Sequence, residues 1–496
     1  MLVVGLAFRN LFRHPTRTFF MAALVFLGTV LISVSVALLE GATLGLSSSV
    51  IGSLTGHMAL GAPSEEAYGL FGSEVPIVGE YEGIPPLRDS PLLISYLQQH
   101  RDVASAAPIV SALANLKLDK YSQKSVLFGI DPATYFLSLP DLEIVWGDAE
   151  ELYRGGIFIN EIMARSMEQR LKRPLVSGEP ITAAVAAGGT FRLRTFYIAG
   201  VFRYKAPLEI LDRIALADPA LVRSLVNYTL GTIQGTSAAA WGSTGAEKDN
   251  SSLVTTQGDL DALFAVTQDT NLETAQGLSL NDVESTLADT AERDRFVAAD
   301  SGAWSFILIR LHDQGALSRV KKELVQYIAQ QGIEARILSW YIAAGSTAVM
   351  LIVLKTAFAV GIVFLVIGAF MILANAQVIS ILERTGEIGT IRALGTQKDM
   401  VVALISLEIL LVTLSAALGG LFVGALITWG INRGSIGLAN PLLMGLFGGK
   451  TLQARLTPAF VILYILGMVG ASLLAALYPI RLALSVSPRE AIHDAE

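Results

Sequence analysis

The stretch Gly445 to Thr451, GLFGGKT, sets a lysine and a threonine behind a glycine pair, the residue types with which a phosphate-cradling loop grips a nucleotide. Such a loop needs glycine at the first position of GxxxxGK[ST], and Met444 stands there. The segment reads instead as a flexible loop, and no ATPase is encoded in this chain. The second chemistry-bearing stretch is Glu383 to Gly395, ERTGEIGTIRALG. Arg384 and Glu387 lie three apart and pair on one face of a helix, while Ile381, Ile388 and Ile391 turn toward a bilayer or a partner groove. Gly389 and Gly395 bracket this charged helix. These groups dock against something; no catalytic, cofactor-binding or metal-ligating set is expected. Cysteine is absent, so no thiolate site, iron-sulfur cluster or lipid-modified cysteine arises from this chain.

The elements that position the charged stretch are apolar. Of 496 residues 52% are hydrophobic and 16% charged, with mean hydropathy +0.55, values that belong to a membrane protein. Phe19 to Leu39, Ala357 to Ala376, Val401 to Ile427 and Ala459 to Leu477 each run for about 19 to 27 residues, and about 20 cross the hydrocarbon. Four transmembrane helices result. A cleavable signal peptide is the competing reading of the first, with Arg9, Arg13 and Arg17 as its basic region, but Ser33 to Gly45 lacks a convincing cleavage site and an uncleaved anchor fits better.

Basic residues set the orientation. Arg9, Arg13 and Arg17 precede the first span, Arg384, Arg392 and Lys398 separate the second from the third, and Arg481 and Arg489 follow the fourth. All three groups are expected in the cytoplasm, with both termini, although Arg433, Lys450 and Arg455 sit between spans three and four. Gly41 to Trp340 must then lie outside. The net charge of −7 and the lack of a basic, aromatic-rich patch argue against a nucleic-acid partner.

Within this external segment the patterns predict a strand near His57, a Gly/Pro/Glu-rich excursion over Ser64 to Pro91, a helix from Leu92, and strands over Ile109 to Leu118 and Ser125 to Ile130. GIFINEIMARSMEQRL from Gly156 reads as strand then helix, with strands over Pro180 to Ala187 and Phe191 to Phe202. Trp304 to Leu311, Ala316 to Gln330 and Glu334 to Leu338 read as strand, helix and strand. The expected fold is therefore an integral membrane α-helical protein with a large α+β two-lobed periplasmic domain inserted between helices 1 and 2. Its parts are a cytoplasmic amphipathic entry helix at 1–18, a first span at 19–45, and the domain at 46–340. The first lobe takes about 55–132 plus 301–340, the second about 133–226, and a Gly/Ser/Thr-rich insertion about 227–300. A stalk and second span at 341–379, a cytoplasmic coupling helix at 380–398, spans at 399–430 and 458–479 around a periplasmic loop at 431–457, and a tail at 480–496 complete the chain.

Trp340 to Ile379 is expected as one helix of about 60 Å, its first part a rigid stalk. Glu40 and Lys355 fall at corresponding span ends, where snorkelling to water is the expected behaviour and an ion pair the alternative. Glu408, an acid well inside the third span, costs roughly 2.5 to 3.5 kcal/mol there and is expected to pair with an arginine of the entry or coupling segment. Ala416, Gly420 and Gly424 make one stripe of small residues, and Gly467, Ala471 and Ala475 another; both permit close helix packing within the chain or across a dimer.

Glu383-Arg384, Glu387-Ile388-Gly389 and Arg392-Ala393-Leu394-Gly395 resemble the V-x-E-R-x-x-E-I-G-x-x-R-A-x-G signature of FtsX/MacB/LolCE-type permeases, the type VII ABC transporters. Leu6 to Leu11 with Arg13, Pro15 and Arg17 is similar to the entry-helix pattern of these proteins; Glu408 with Gly419-Gly420, and Tyr478-Pro479 with Pro488, Glu490 and Ala491, are similar to their later motifs. Ile480 and Ile492 depart from the usual Ala and Leu, and the 227–300 insertion is longer than expected. The resemblance implies that Glu383, Arg384, Glu387, Ile388, Gly389, Arg392 and Gly395 dock on a separate ABC ATPase subunit, which holds ATP and Mg. It implies an inner-membrane permease that transmits force and is not itself an enzyme, working with a second copy or paralogue. The LolC/LolE-like branch, moving lipoprotein cargo from the membrane to a periplasmic carrier, is the favoured reading. MacB-like tripartite efflux of antibiotics, toxins or peptides and FtsX-like control of a cell-wall hydrolase are the alternatives.

This topology predicts that cysteines placed at Ser122 and Ser251 of the cysteine-free chain react with an impermeant thiol reagent added to intact cells, while Thr385→Cys stays unlabelled. Labelling at Thr385 would overturn the orientation.

Overall fold

The computed structural model describes residues 15–64, 68–73, 84–187, 190–206, 208–226, 228, 303–382 and 396–485. The start of the entry helix, nearly all of the 227–300 insertion, Glu383 to Gly395 and the tail from 486 lie outside the described residues. The chain divides into two units, residues 50–349 and residues 1–49 with 350–496.

α1 (Pro15–Val50) is apolar along its length and passes into a π-helical turn at Ile51–Thr55. There follow β1 (Met58–Gly61), a small hairpin of β2 (Tyr68–Gly69) and β3 (Gly72–Ser73), and α2 (Ser90–Gln99). β4 (Val103–Leu118), β5 (Tyr121–Ile130), α3 (Pro132–Ser138), β6 (Leu142–Gly147), β7 (Gly156–Asn160) and α4 (Glu161–Leu171) come next. α4 starts where Asn160, as its N-cap, accepts the Ile162 amide at 2.9 Å, a bond that stabilises a helix start by about 1 kcal/mol. β8 (Pro180–Ala187), β9 (Thr190–Tyr204), β10 (Ile214–Ala217), α5 (Pro219–Val226), β11 (Phe306–Leu311), α6 (Leu317–Gln331) and β12 (Arg336–Ser339) complete the 50–349 unit with α7 (Trp340–Ala343).

These strands form one sheet in the order β12-β1-β11-β4-β5-β10-β7-β9-β6, with β8 pairing both β4 and β9. The pairings β4-β5, β5-β10, β10-β7, β7-β9, β9-β8 and β8-β4 return to their starting strand, so six strands close a ring. Two cores lie on this sheet. The first gathers Met58, Leu60, Ala106, Ile307 and Ile309 under Leu93 and Leu97 of α2 and Val320 and Leu324 of α6. The second gathers Leu116, Ile159, Ile181, Phe196, Ile198 and Ala215 with Met163 and Met167 of α4.

β4 serves both cores. Residues 106–112 are buried on both faces, whereas from Leu113 onward exposed and buried side chains alternate with the period of two expected where only one face is covered. The expected division near residue 132 is therefore displaced: β5, assigned to the first lobe from sequence, puts Tyr121 and Leu127 into the second core. Strand periodicity reports which side is covered, not which core covers it.

A second correction concerns the stalk. Trp340 to Ile379 is not one helix: α7 ends as Ala344 donates to Trp340 O at 3.0 Å and Gly345 to Ile342 O at 3.1 Å, and α8 (Ser346–Leu382) begins anew. Gly345 has φ of +77°, a left-handed turn that glycine adopts without steric cost, and Leu70 of the β2-β3 hairpin donates to Ala343 O at 2.8 Å, fixing the break. Ala343 and Ala344 thus sit in a turn, not in a helix interior, and a rigid helical lever through them is excluded.

The second unit holds the rest of α8, then α9 (Lys398–Gly434), α10 (Pro441–Phe447) and α11 (Pro458–Ser485). Among the described residues, four helices are long and apolar enough to cross a membrane: Thr18–Thr55, Ala348–Ile379, Asp399–Gly434 and Pro458–Ala476.

His57 anchors β1 to β11. Its amide donates to Ile309 O at 2.8 Å, and its Nδ1 accepts the Leu311 amide at 3.1 Å, which requires the imidazole to be neutral. Burial lowers its pKa and Arg310 adds to the lowering, against a weaker upward pull from Asp313. Because the folded-state value lies below the unfolded one, this contribution is present above about pH 6.5 and lost as pH falls through the folded value. We expect hydrogen-exchange protection of the Leu311 amide to drop on acidification below that pH, and His57→Gln to remove the extra pH dependence. Identical pH profiles for both proteins would contradict this assignment.

Candidate functional site

The charged segment expected to dock a partner, Glu383, Arg384, Glu387, Ile388, Gly389, Arg392 and Gly395, lies outside the described residues, between the end of α8 at Leu382 and the start of α9 at Lys398. The other candidate residues belong to the helical unit. Glu408 is partly buried within α9.

Gly420 and Gly424 meet α1. A Cβ on Gly420 would stand 2.7 Å from Thr29 Cβ and 2.8 Å from Phe26 O; one on Gly424 would strike Ser33 Oγ and lie 3.0 Å from Ser33 Cβ. The absent side chains let α9 press its backbone onto α1. Ala416 and Ala417 continue the contact against Val25. Gly467 differs, since no atom lies within 4 Å of where its Cβ would be, so its face of α11 is open. Ala471 is partly buried and lines a cleft described below.

Hydroxyl groups hold the helices where the glycines bring them close. Thr29 Oγ1 donates to Val25 O at 2.7 Å and lies 2.9 Å from Tyr464 OH on α11. Thr413 of α9 and Ser472 of α11 are both buried, with their hydroxyls 2.7 Å apart. In hydrocarbon a polar group must find such a partner, and interhelical pairs of this kind contribute on the order of 1 kcal/mol. Sequence reasoning missed these residues; the signal was there, as Thr29 and Ser33 share the spacing of Gly420 and Gly424. Gln377 of α8 was missed as well: it is 2% exposed, and neither amide atom has a hydrogen-bond partner among the described residues.

Helix α8 is the least covered of the four, with no buried residue in its most apolar stretch, against 28% for α1 and α9. Between α8, α1 and α11 lies a cleft of about 350 Å³, walled by Leu24, Val25, Ile32, Phe364, Leu365 and Met468 among others. Its polar side chains are Thr29 and Tyr464, whose hydroxyls face each other. The cleft therefore offers hydrocarbon walls and no charge.

Residues 359–488, from within α8 through α11 and just beyond it, match the FtsX-like permease C-terminal family. No curated protein matches the chain. Among solved structures, the extracellular domain of the noncanonical ABC-type transporter YknZ from Gram-positive bacteria is 11% identical, over 57% of this chain and 98% of that one, with TM-score 0.29. The periplasmic region of MacB from Actinobacillus actinomycetemcomitans is 12% identical over 59% and 92%, with TM-score 0.30. A domain of a putative permease protein from Porphyromonas gingivalis is 11% identical over 57% and 85%, with TM-score 0.26. The matched residues include the charged segment Glu383 to Gly395 and every small residue of both stripes.

The close approach of α9 to α1 is testable. Gly424→Val forces a branched side chain into Ser33 and should destabilise the detergent-solubilised protein by about 1–3 kcal/mol, the usual cost of overpacking. Gly467→Val, on the open face, should shift the thermal midpoint far less. Equal shifts for the two variants would contradict the arrangement.

Proposed function

We propose that the chain is the membrane permease subunit of an FtsX-like ABC transporter that draws its energy from a separate ATP-hydrolysing subunit and extracts lipoproteins from the inner membrane for a periplasmic carrier. The observation that carries the cargo class is the cleft between α1, α8 and α11. Its walls are aliphatic and aromatic, and its two hydroxyls are turned on one another. A polar solute would leave its own hydrogen-bonding groups unpaired there, whereas an acyl chain loses nothing by entering. The bare apolar stretch of α8 supports a second permease copy or lipid against it, since an apolar surface that the chain leaves uncovered meets one or the other in a bilayer.

In this reading the segment Glu383 to Gly395 receives the stroke of the ATPase, and the helices on either side of it, α8 and α9, carry that motion to the cleft. The chain binds and moves its cargo without making or breaking a covalent bond. Both termini lie in the cytoplasm, and the 50–349 unit faces the carrier.

Filling the cleft tests the assignment. Ala369→Trp places an indole against Gly28, whose Cβ position is 3.9 Å from Ala369 Cβ. We expect acylated protein recovered with the purified complex to fall at least about tenfold, the effect of losing on the order of 1.4 kcal/mol of binding, while ATPase association is unchanged. Undiminished recovery of acylated cargo would refute the cleft as the acyl site. Recovery of an outer-membrane channel with an adaptor, and of no acylated protein, would refute the cargo class.

A further inference from the structure

The segment joining α9 to α11, expected as a plain loop, is a built structure. Gly437 and Thr451 form an antiparallel bridge, with Leu438 donating to Lys450 O and Leu452 to Ile436 O, each at 2.8 Å. The Asn432 side chain holds Ala454 twice, Nδ2 donating to its carbonyl at 2.7 Å and Oδ1 accepting its amide at 3.0 Å. The loop is mounted on α1: the Arg455 amide donates to Ala37 O at 2.8 Å, and Ser49 Oγ donates to Gly448 O at 3.2 Å. A cavity of about 420 Å³ lies in this assembly, lined by Gly41, Asn432, Ser435, Thr451, Gln453 and Arg455 among others.

Its charge is one-sided. Residues 431–457 contain Arg433, Lys450 and Arg455 and no Asp or Glu, in a chain whose net charge is −7. None of the three has an ion-pair partner among the described residues. The Arg433 guanidinium lies 5.4 Å from the ring centre of Trp429, which is itself 62% exposed. On the same loop Ile436, Leu442 and Leu443 are exposed, so this loop carries both exposed apolar side chains and uncompensated cations. An exposed tryptophan, basic side chains and a short apolar helix at the end of membrane-crossing helices form the pattern of a lipid headgroup interface.

We propose that this loop binds an anionic phospholipid, with its phosphate at Arg455, Thr451 and Ser435 in the cavity, Arg433 and Lys450 on the rim, and Leu442 and Leu443 among the acyl chains. A soluble anion would use the cations and leave the leucines in water, which is why a lipid is the occupant. The loop bonds directly to α1, so the bound lipid holds that helix and the α9-α11 connection at one depth. The inference rests on the reading that α9 and α11 cross the bilayer.

The test titrates delipidated full-length protein in detergent with phosphatidylglycerol or phosphatidylcholine and counts retained lipid by native mass spectrometry. Wild type should retain phosphatidylglycerol in preference. Arg455→Gln should weaken that retention about fivefold, the effect of one basic side chain at an anionic lipid surface. Arg433→Gln, Lys450→Gln and Arg455→Gln together should erase the preference, while Lys321→Gln with Lys322→Gln, an exposed pair on α6, should leave it intact. Equal retention of the two lipids, an undiminished preference in the triple variant, or displacement of the lipid by inorganic phosphate alone would overturn the proposal. Alkaline carbonate extraction of membranes separates the failures. Protein released by carbonate would refute the membrane reading together with this one, and protein retained without lipid preference would refute this inference only.

Discussion

A helix inside a bilayer gains little from burying apolar side chains against a neighbour, since lipid is as apolar as leucine, so association depends on how closely two backbones can come. In this chain Gly420 and Gly424 set that distance. Their missing side chains bring α9 onto α1 at Thr29 and Ser33, and the same contact places Thr29 beside Tyr464 of α11. One pair of glycines thereby joins three of the four apolar helices. The fourth, α8, is left with its apolar stretch bare, and the cleft beside it follows from that imbalance.

The 50–349 unit solves a different problem. With no cysteine to staple it, the unit depends on apolar burial, at about 1.5–3 kcal/mol for each fully buried Leu, Ile, Val or Phe. A long strand shared between two cores lets both draw on one set of backbone hydrogen bonds, and closing six strands into a ring leaves those strands without a free edge. The helix break at Gly345 belongs to the same unit. It removes the continuous helix that length and apolarity alone predict: a turn tied to Leu70 stands between α8 and β12.

The parts legible in sequence were those with strong local periodicity or long apolar runs. The four long apolar helices, the strand at Pro180 to Ala187 and the amphipathic helix after Ala316 stand where their patterns put them. What failed was nonlocal. Nothing in the spacing of Tyr121 and Leu127 says which core receives them, and a glycine preceded by two alanines in an apolar run does not announce a positive φ until the hairpin that fixes it is known. At the site, spacing picked out two stripes alike, and only the structure tells them apart: Gly420 and Gly424 meet α1, while nothing lies within 4 Å of a Cβ on Gly467. The hydroxyl partners are harder to read: Thr29 and Ser33 repeat the glycines' four-residue spacing, but Thr413 and Ser472 are single neutral residues in apolar helices. The loop after α9 was hidden for a related reason, its order arising from backbone bonds to α1 and from one asparagine, Asn432.

The contact between α1 and α9 carries the membrane half of this account, and the cysteine-free background makes it directly measurable. With Ser33→Cys and Gly424→Cys in one chain, the two Cβ positions stand 3.0 Å apart, close to the separation of about 3.5–4.5 Å that a disulfide bridges. Mild oxidation in native membranes is predicted to form the bond within a single chain, seen as a mobility shift of the monomer that reductant reverses, while Ser33→Cys paired with Gly467→Cys gives no such shift. A Ser33/Gly424 pair that stays reduced, or that crosslinks only between two chains, would contradict the glycine-set packing of α9 on α1.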